Sequence, residues 1–470
     1  MNVAEPPAAI VSPTRSRSRW ITGSLVAAAV LAGVGGLWLL FEDHLIASAL
    51  SRYRAPQWRE ALLQTRLEHY GWFFLAASAA LVAFAAALRG LVPAPDRPRT
   101  RGGQPNPASR AVTLLASAAI VAVMYGFSTA EWDRFDRPCW DGYCDYADLF
   151  RDVLYTGDAS ASGRLLRFMH TDYHSNSPAG PTLTALVSGA TGMRTVSAYR
   201  VVVGAASLGA IVLVWLVLLP QAGVGTAARM GALVLVGSNM VLIRSAFFPQ
   251  TDALVLFWTT ALLAVGWLRW KQPRAWHGPA CFTLLATGTF VKLSFLPALA
   301  LLPVWAAFVR YFPRIGADSE STPNVAWDGI VYAMLPAGGY FAFQYWLDTS
   351  ERFSHELSRT LTEDTLLVFV VMSLLHAGLF SGLLIAVARK RLAPFDFFLL
   401  GWVGLYLLSL WGIGASGWDR FYLPIVPALA VIAARGLDEI GDSFGTGVMW
   451  SAVVLIAGLN YAALGLGLYY

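Results

Sequence analysis

The chain has 470 residues, of which 56% are hydrophobic and 13% charged, against about 25% charged in ordinary soluble domains; its mean hydropathy is +0.55. That excludes a soluble globular core and leaves length for about a dozen membrane-spanning helices. The formal net charge of +5 is not a nucleic-acid signal, because the basic residues sit in short connectors between apolar runs, where they report topology.

Residues 1–19 form a basic tail, with Arg15, Arg17 and Arg19 ahead of an apolar run at 20–41. That run is about 20 residues, too long for a signal-peptide core and with no small-residue cleavage site behind it. It reads as an uncleaved first span whose basic flank is cytoplasmic. Windows of the same length give further spans at 71–92, 111–129, 197–219, 230–247, 250–270, 278–293, 295–312, 328–347, 365–388, 395–415, 421–435 and 447–469. The predicted fold class is an all-α integral membrane protein of about thirteen transmembrane helices plus juxtamembrane helices. It divides into the tail, an N-terminal hairpin with its basic connector (20–110), a core (111–436) carrying an external loop at 130–196, and a final span (437–470).

Orientation follows from the positive-inside rule. Arg89, Arg97, Arg99, Arg101 and Arg110 place the connector before 111 inside, so the acidic loop after Thr129 is outside. Lys271 with Arg274, Arg310 with Arg314, Arg389 through Arg391, and Arg435 are then also inside, provided that 178–193 does not cross. That segment is about 16 residues with Pro178, Gly180 and Pro181, short for a span, and is expected in the outer interface. The Arg-bearing connector 52–66 is the exception, because it falls outside. The reading is a multi-pass cell-membrane protein whose working face is extracytoplasmic.

The external loop holds Asp133, Asp136, Cys139, Asp141, Cys144, Asp145, Asp148 and Asp152, then His170, Asp172 and His174. Four further ionisable residues lie at membrane edges on the same side: Arg244, Asp252, Lys292 and Arg420. Charges at such positions are costly and by default point to function. A transporter places polar residues at mid-membrane in broken helices, and the sequence gives no sign of a repeated pair of these. An outward cluster of carboxylates, Lys and Arg fits group transfer from a phosphate-linked lipid: cations hold the phosphate, Arg bidentately, and a carboxylate takes the proton of the acceptor hydroxyl.

Five motifs in order carry a resemblance. Pro138-Cys-Trp-Asp-Gly-Tyr-Cys-Asp-Tyr-Ala-Asp-Leu-Phe follows a span; His174-Ser-Asn-Ser-Pro-Ala-Gly-Pro leads into a juxtamembrane helix ending near Gly192 and Arg200. Then come Arg244-Ser-Ala-Phe-Phe-Pro-Gln-Thr-Asp252-Ala, Thr289-Phe-Val-Lys292-Leu-Ser-Phe-Leu-Pro297 and Asp419-Arg420-Phe-Tyr-Leu-Pro424-Ile-Val-Pro427. Over about 111–435 this order resembles the GT-C type of polytopic glycosyltransferase, which includes protein mannosyltransferases and aminoarabinose transferases. The resemblance implies a GT-C-like fold and transfer of a sugar, with inversion, from a polyprenyl-phosphate donor at the outer membrane face. It implies Asp141 as base, Lys292 and Arg420 on the donor phosphate, and Arg244 and Asp252 lining the same cavity. Gly142 departs from the pattern, standing where the family has an acidic neighbour of the aspartate, which leaves Asp145 as a rival base.

Each residue also has a plainer reading. Asp145, Asp148 and Asp152 have the spacing of the wet face of a short helix. His170 and His174, with no third histidine, are a weak metal signal, so no metal site is assigned and no cofactor is called for, although a divalent ion is compatible with the loop. His174 is a candidate substrate contact or a plain loop residue. Cys139 and Cys144 either form an extracytoplasmic disulfide or stay free thiols, and Cys281 reads as packing. Arg420 either holds phosphate or snorkels to lipid headgroups. The expected partners are a lipid-linked sugar and an unknown glycan, lipid or protein acceptor, with no nucleic acid. The alternatives from other classes are a transporter of a lipid-linked or small polar solute, and a non-catalytic partner in envelope assembly.

Overall fold

A computed structural model of the chain describes residues 13–41, 71–72, 75–88, 142–157, 159–171, 177–246, 250–312, 324–347, 392–412 and 419–465. The predicted spans at 111–129 and 365–388 lie outside these residues, and so do Cys139, Asp141, Asp172 and His174. Among the described residues 88% are helical and none is in a strand.

In chain order the helices are α1 (Pro13–Phe41), α2 (Leu75–Leu88), α3 (Tyr143–Tyr155), α4 (Ala159–Thr171), α5 (Ala179–Thr191) and α6 (Thr195–Gln221, with a π segment at Val214–Leu218). There follow α7 (Thr226–Gly237), α8 (Met240–Ser245), α9 (Asp252–Lys271), α10 (His277–Gly288) and a 3-10 segment Leu293–Ala300 that runs into α11 (Leu301–Tyr311). The last are α12 (residues 325–346, with a π segment at Ile330–Met334), α13 (Pro394–Gly412), a 3-10 segment Asp419–Ile425 leading into α14 (Val426–Phe444), and α15 (Thr446–Gly465).

Among the described residues, five helical stretches are long and apolar enough to cross a membrane: Trp20–Leu37, Thr195–Gln221, Asp252–Lys271, Leu293–Tyr311 and Phe421–Phe444. Four shorter apolar helices accompany them, Leu75–Leu88, Thr226–Gly237, Pro394–Leu410 and Thr446–Tyr461. Leu216, Leu408 and Val454 are exposed on these helices and give them apolar outer faces. The segment expected to stay out of the bilayer is α5, whose 13 residues are too few for about 30 Å of hydrocarbon.

Two expectations are corrected. The run 230–247, read as one span, is two helices, because α7 stops at Gly237 and α8 restarts at Met240. Asn239 makes the restart, its side chain accepting from the Leu242 amide at 3.0 Å, which is the N-cap role that asparagine favours. The span predicted to end at 435 continues to Phe444 and closes at Gly445, and the last helix begins at Thr446, next to the start expected for it at 447.

The up-and-down order gives the bundle two chemically different ends. Arg269 forks onto Asp328 at 2.7 and 3.2 Å, Arg435 holds Asp396 at 2.6 Å, and Lys271 donates to Gln221 at 3.2 Å. These contacts join the end of α9, the start of α12, the start of α13, α14 and the end of α6 at one end. At the other end lie the starts of α6 and α9, the α10-to-α11 turn, the end of α12 and the Asp419–Ile425 segment. There α3 and α4 pack as well: His170 Nδ1 donates to the Leu347 carbonyl at 3.2 Å. Tyr146 is fully buried in a cluster with Leu165, Met169 and Leu347. The acidic loop helices thus cap the end opposite the Arg-carboxylate pairs. Helix α9 runs between the two ends among α6, α10 and the Asp419–Ile425 segment, with Asp252 in its first turn and Arg269 and Lys271 in its last, signs that complement the helix dipole.

Candidate functional site

At the loop end, three chain interruptions meet around the start of α9. The first is the turn between α10 and α11. Phe290 and Val291 amides bond back to Thr287 and Gly288 carbonyls at 3.0 Å each, and Lys292 is then fully extended at φ −168, so its side chain leaves the helix line. Pro297 lies inside the following 3-10 segment, where its missing N–H and fixed φ disfavour a regular α-helix. The second interruption is the Asp419–Ile425 segment, which contains Pro424 and is tied down by the Trp402 indole donating to the Pro424 carbonyl at 2.9 Å. The third is α8 after its break from α7. Both the Asp419–Ile425 segment and α8 pack against each other and against α9.

Asp252 and Lys292 form the centre. Lys292 Nζ donates to Asp252 Oδ1 at 2.7 Å, with side-chain exposures of only 15% and 3%. The ammonium also lies 4.8 Å from the centroid of the Phe421 ring, within cation–π range. An ion pair this dry stands only because both charges are present; removing one partner of such a pair costs about 3–5 kcal/mol. Around the pair are fully buried Tyr199, Thr251 and Tyr406 and nearly buried Tyr422. Asp252 is close enough to Tyr199 and Tyr406 to act on both electrostatically.

The loop helices reach this centre through backbone and rings. Ala179, the first residue of α5, donates its amide to the Phe290 carbonyl at 3.1 Å, which docks the end of the acidic loop on the Lys292 turn. Tyr143, the first residue of α3, meets the Tyr199 ring at a centroid distance of 6.3 Å. Gly142 has φ +68, a left-handed conformation that glycine adopts without steric cost. The position where an acidic residue was expected therefore serves as the backbone hinge into α3.

Of the residues singled out from sequence, the structure brings Asp252 and Lys292 into contact. Arg244 sits on α8 and Arg420 on the Asp419–Ile425 segment; these elements touch α9, while the two side chains lie outside the described residues. Asp145 is exposed and shares its helix face with Asp148 and Asp152, whereas Tyr143, Tyr146 and Ala147 face the bundle. Asp148 and Asp152 pair with Arg151 at 3.0 and 3.5 Å, and Arg151 also donates to the Thr195 hydroxyl at 3.1 Å. Cys144 is disulfide-bonded, and Cys281 is a buried free cysteine. Among the described residues no group of three or more His, Cys, Asp or Glu is placed to hold a metal ion.

Tyr199 is not singled out from sequence, and Tyr143, Thr251 and Phe421 stand there only inside the quoted motifs, with no role of their own. Thr251 and Phe421 each neighbour a charged residue that was singled out, which is the one signal available for them; Tyr199 and Tyr143 read only as aromatics at helix starts. Such an arrangement can hold an anion near a lysine whose charge a carboxylate partly balances. No protein-family model, curated protein or solved structure matches the chain.

Proposed function

We propose that the protein is a membrane glycosyltransferase of the GT-C type, with about thirteen spans, that takes a sugar from a polyprenyl-phosphate donor at the extracytoplasmic face. The observation that carries the reading is the convergence at one end of the bundle. Lys292, Asp252 and the segments bearing Arg244 and Arg420 meet there, beneath the helix that follows Asp141. In the proposed reaction the acceptor hydroxyl attacks the anomeric carbon while the bond from that carbon to the phosphate oxygen breaks, inverting the centre. Asp141 takes the hydroxyl proton, in general-base fashion. The lipid phosphate leaves with its charge held by Lys292 and Arg420, the latter in a bidentate fork. Asp252 keeps the Lys292 ammonium aimed and its net charge low until the phosphate arrives. His174 and Arg244 line the donor side.

The test is to incubate membranes containing the protein with radiolabelled polyprenyl-phosphate sugars and to look for a labelled product, together with release of polyprenyl phosphate. Wild type is expected to transfer label, and Arg420→Lys to show a raised apparent KM for the donor because the planar fork is lost. Absence of transfer with every donor tried, alongside uptake of such a donor or a polar solute into proteoliposomes, would establish the transporter reading instead. One observation favours that second reading: a helix break immediately precedes Lys292 of the buried ion pair, α8 packs on α9 just after another, and interrupted helices are where transporters build their sites.

A further inference from the structure

Tyr199 is fully buried on α6, and its hydroxyl has no hydrogen-bond partner among the described residues. Leaving a buried hydroxyl unmatched is unfavourable, and each such group in a folded protein calls for a reason. Here the reason lies in what surrounds it. A β-carbon on Gly180 would stand 2.7 Å from the Tyr199 hydroxyl oxygen and 2.9 Å from the Thr251 methyl. The hydroxyl therefore rests against the bare backbone of α5, side by side with the residue that precedes Asp252. The centroid of the same ring lies 6.3 Å from that of Tyr143, next to disulfide-bonded Cys144. One side chain thus touches the start of α3, the start of α5 and the start of α9 while belonging to α6.

We infer that Tyr199 is a positioning residue, which holds the helix following Asp141 in fixed register with the Asp252–Lys292 pair. Only glycine at position 180 allows the required approach, because any side chain there would push the Tyr199 ring away from Thr251 or α5 away from α6. Its catalytic consequence rests on the glycosyltransferase reading; the packing itself does not. If loop and pair are separated by about 1 Å, loss of rate can reach about 10²-fold while the phosphate-binding cations stay where they are.

Three variants of the full-length protein test this: Gly180→Ala, Tyr199→Phe and the two combined. Hydrogen exchange of the Tyr143–Tyr155 helix is the first readout and does not depend on activity. Gly180→Ala should speed exchange there, Tyr199→Phe should leave it unchanged, and the double variant should restore it in part, since removing the hydroxyl relieves the 2.7 Å contact while the 2.9 Å approach to the Thr251 methyl remains. Transfer is the second readout: Gly180→Ala should lower kcat about 10²-fold with the donor KM unchanged, and the double variant should recover in part. Unchanged exchange in Gly180→Ala, or no recovery in the double variant, overturns the inference. If exchange behaves as expected but kcat does not follow, the positioning role in catalysis falls and the packing junction alone stands. If wild type transfers no sugar at all, the functional reading fails, and the exchange result still decides whether Tyr199 registers the loop.

Discussion

Removing Lys292 or Asp252 leaves the other charge at the bundle end without its 2.7 Å partner. Lys292→Met and Asp252→Asn should each lower stability in detergent by about 3–5 kcal/mol, read from thermal or denaturant unfolding. The double variant should lose clearly less than the sum, because the cost of each single change is largely the charge left behind; strict additivity would show that the two do not act as a unit. The acidic loop gives a second contrast of single residues. Asp141→Asn should reduce transfer about 10²–10⁴-fold, the usual loss for a positioned general base, with the protein still folded and inserted. Asp145→Asn should be nearly silent, since its side chain is exposed and lies on the same face as the Asp148–Arg151 pair. Loss of activity in Asp145→Asn with retention in Asp141→Asn would move the base one helical turn.

Helices α6, α9 and α14 were legible in the sequence because hydropathy summed over about 20 residues is what makes a span. The break at Ser238 and Asn239 was not, since a window that long averages over two polar residues and cannot register a cap, which is a matter of one side chain and one amide. The same limit hid the pairing of Asp252 with Lys292, which are 40 residues apart in the chain; sequence placed both at one end, but only the fold brings the turn after α10 against the first turn of α9. Tyr199 was invisible for a further reason, because a buried aromatic at a helix start has no pattern that separates packing from positioning. At this scale helix α3 makes its own prediction. Cys144 is disulfide-bonded, and Cys139 is the expected partner. Non-reducing peptide mapping should recover the 139–144 link, and reduction should speed exchange at the start of α3 without altering α9. Recovery of Cys139 and Cys144 as free thiols from protein purified under oxidising conditions would remove the bridge and leave the Tyr143–Tyr199 contact as the anchor of that helix start.

The two ends of the molecule differ in kind, and an expected orientation follows from this. One end gathers Arg269 and Lys271 from the last turn of α9 and Arg435 from α14, with Arg269 and Arg435 tied to Asp328 and Asp396. The other carries the helices of the acidic loop and the Asp252–Lys292 pair. Positive charge in short connectors is retained on the cytoplasmic side during insertion, so the first end is expected inside and the second outside. That assignment decides the donor: an outward site can use a lipid-linked sugar delivered through the bilayer, and it has no access to a soluble cytoplasmic nucleotide-sugar. Single cysteines introduced in a background lacking Cys139, Cys144 and Cys281 test it with an impermeant thiol reagent on intact cells. A cysteine at Asp158, between α3 and α4, should label from outside. Cysteines at Gln272, in the connector after α9, and at Lys390 should label only after the membrane is opened. Labelling of position 272 or 390 in intact cells would invert the bundle, put the Asp252–Lys292 pair in the cytoplasm, and remove the lipid-phosphate donor along with the orientation.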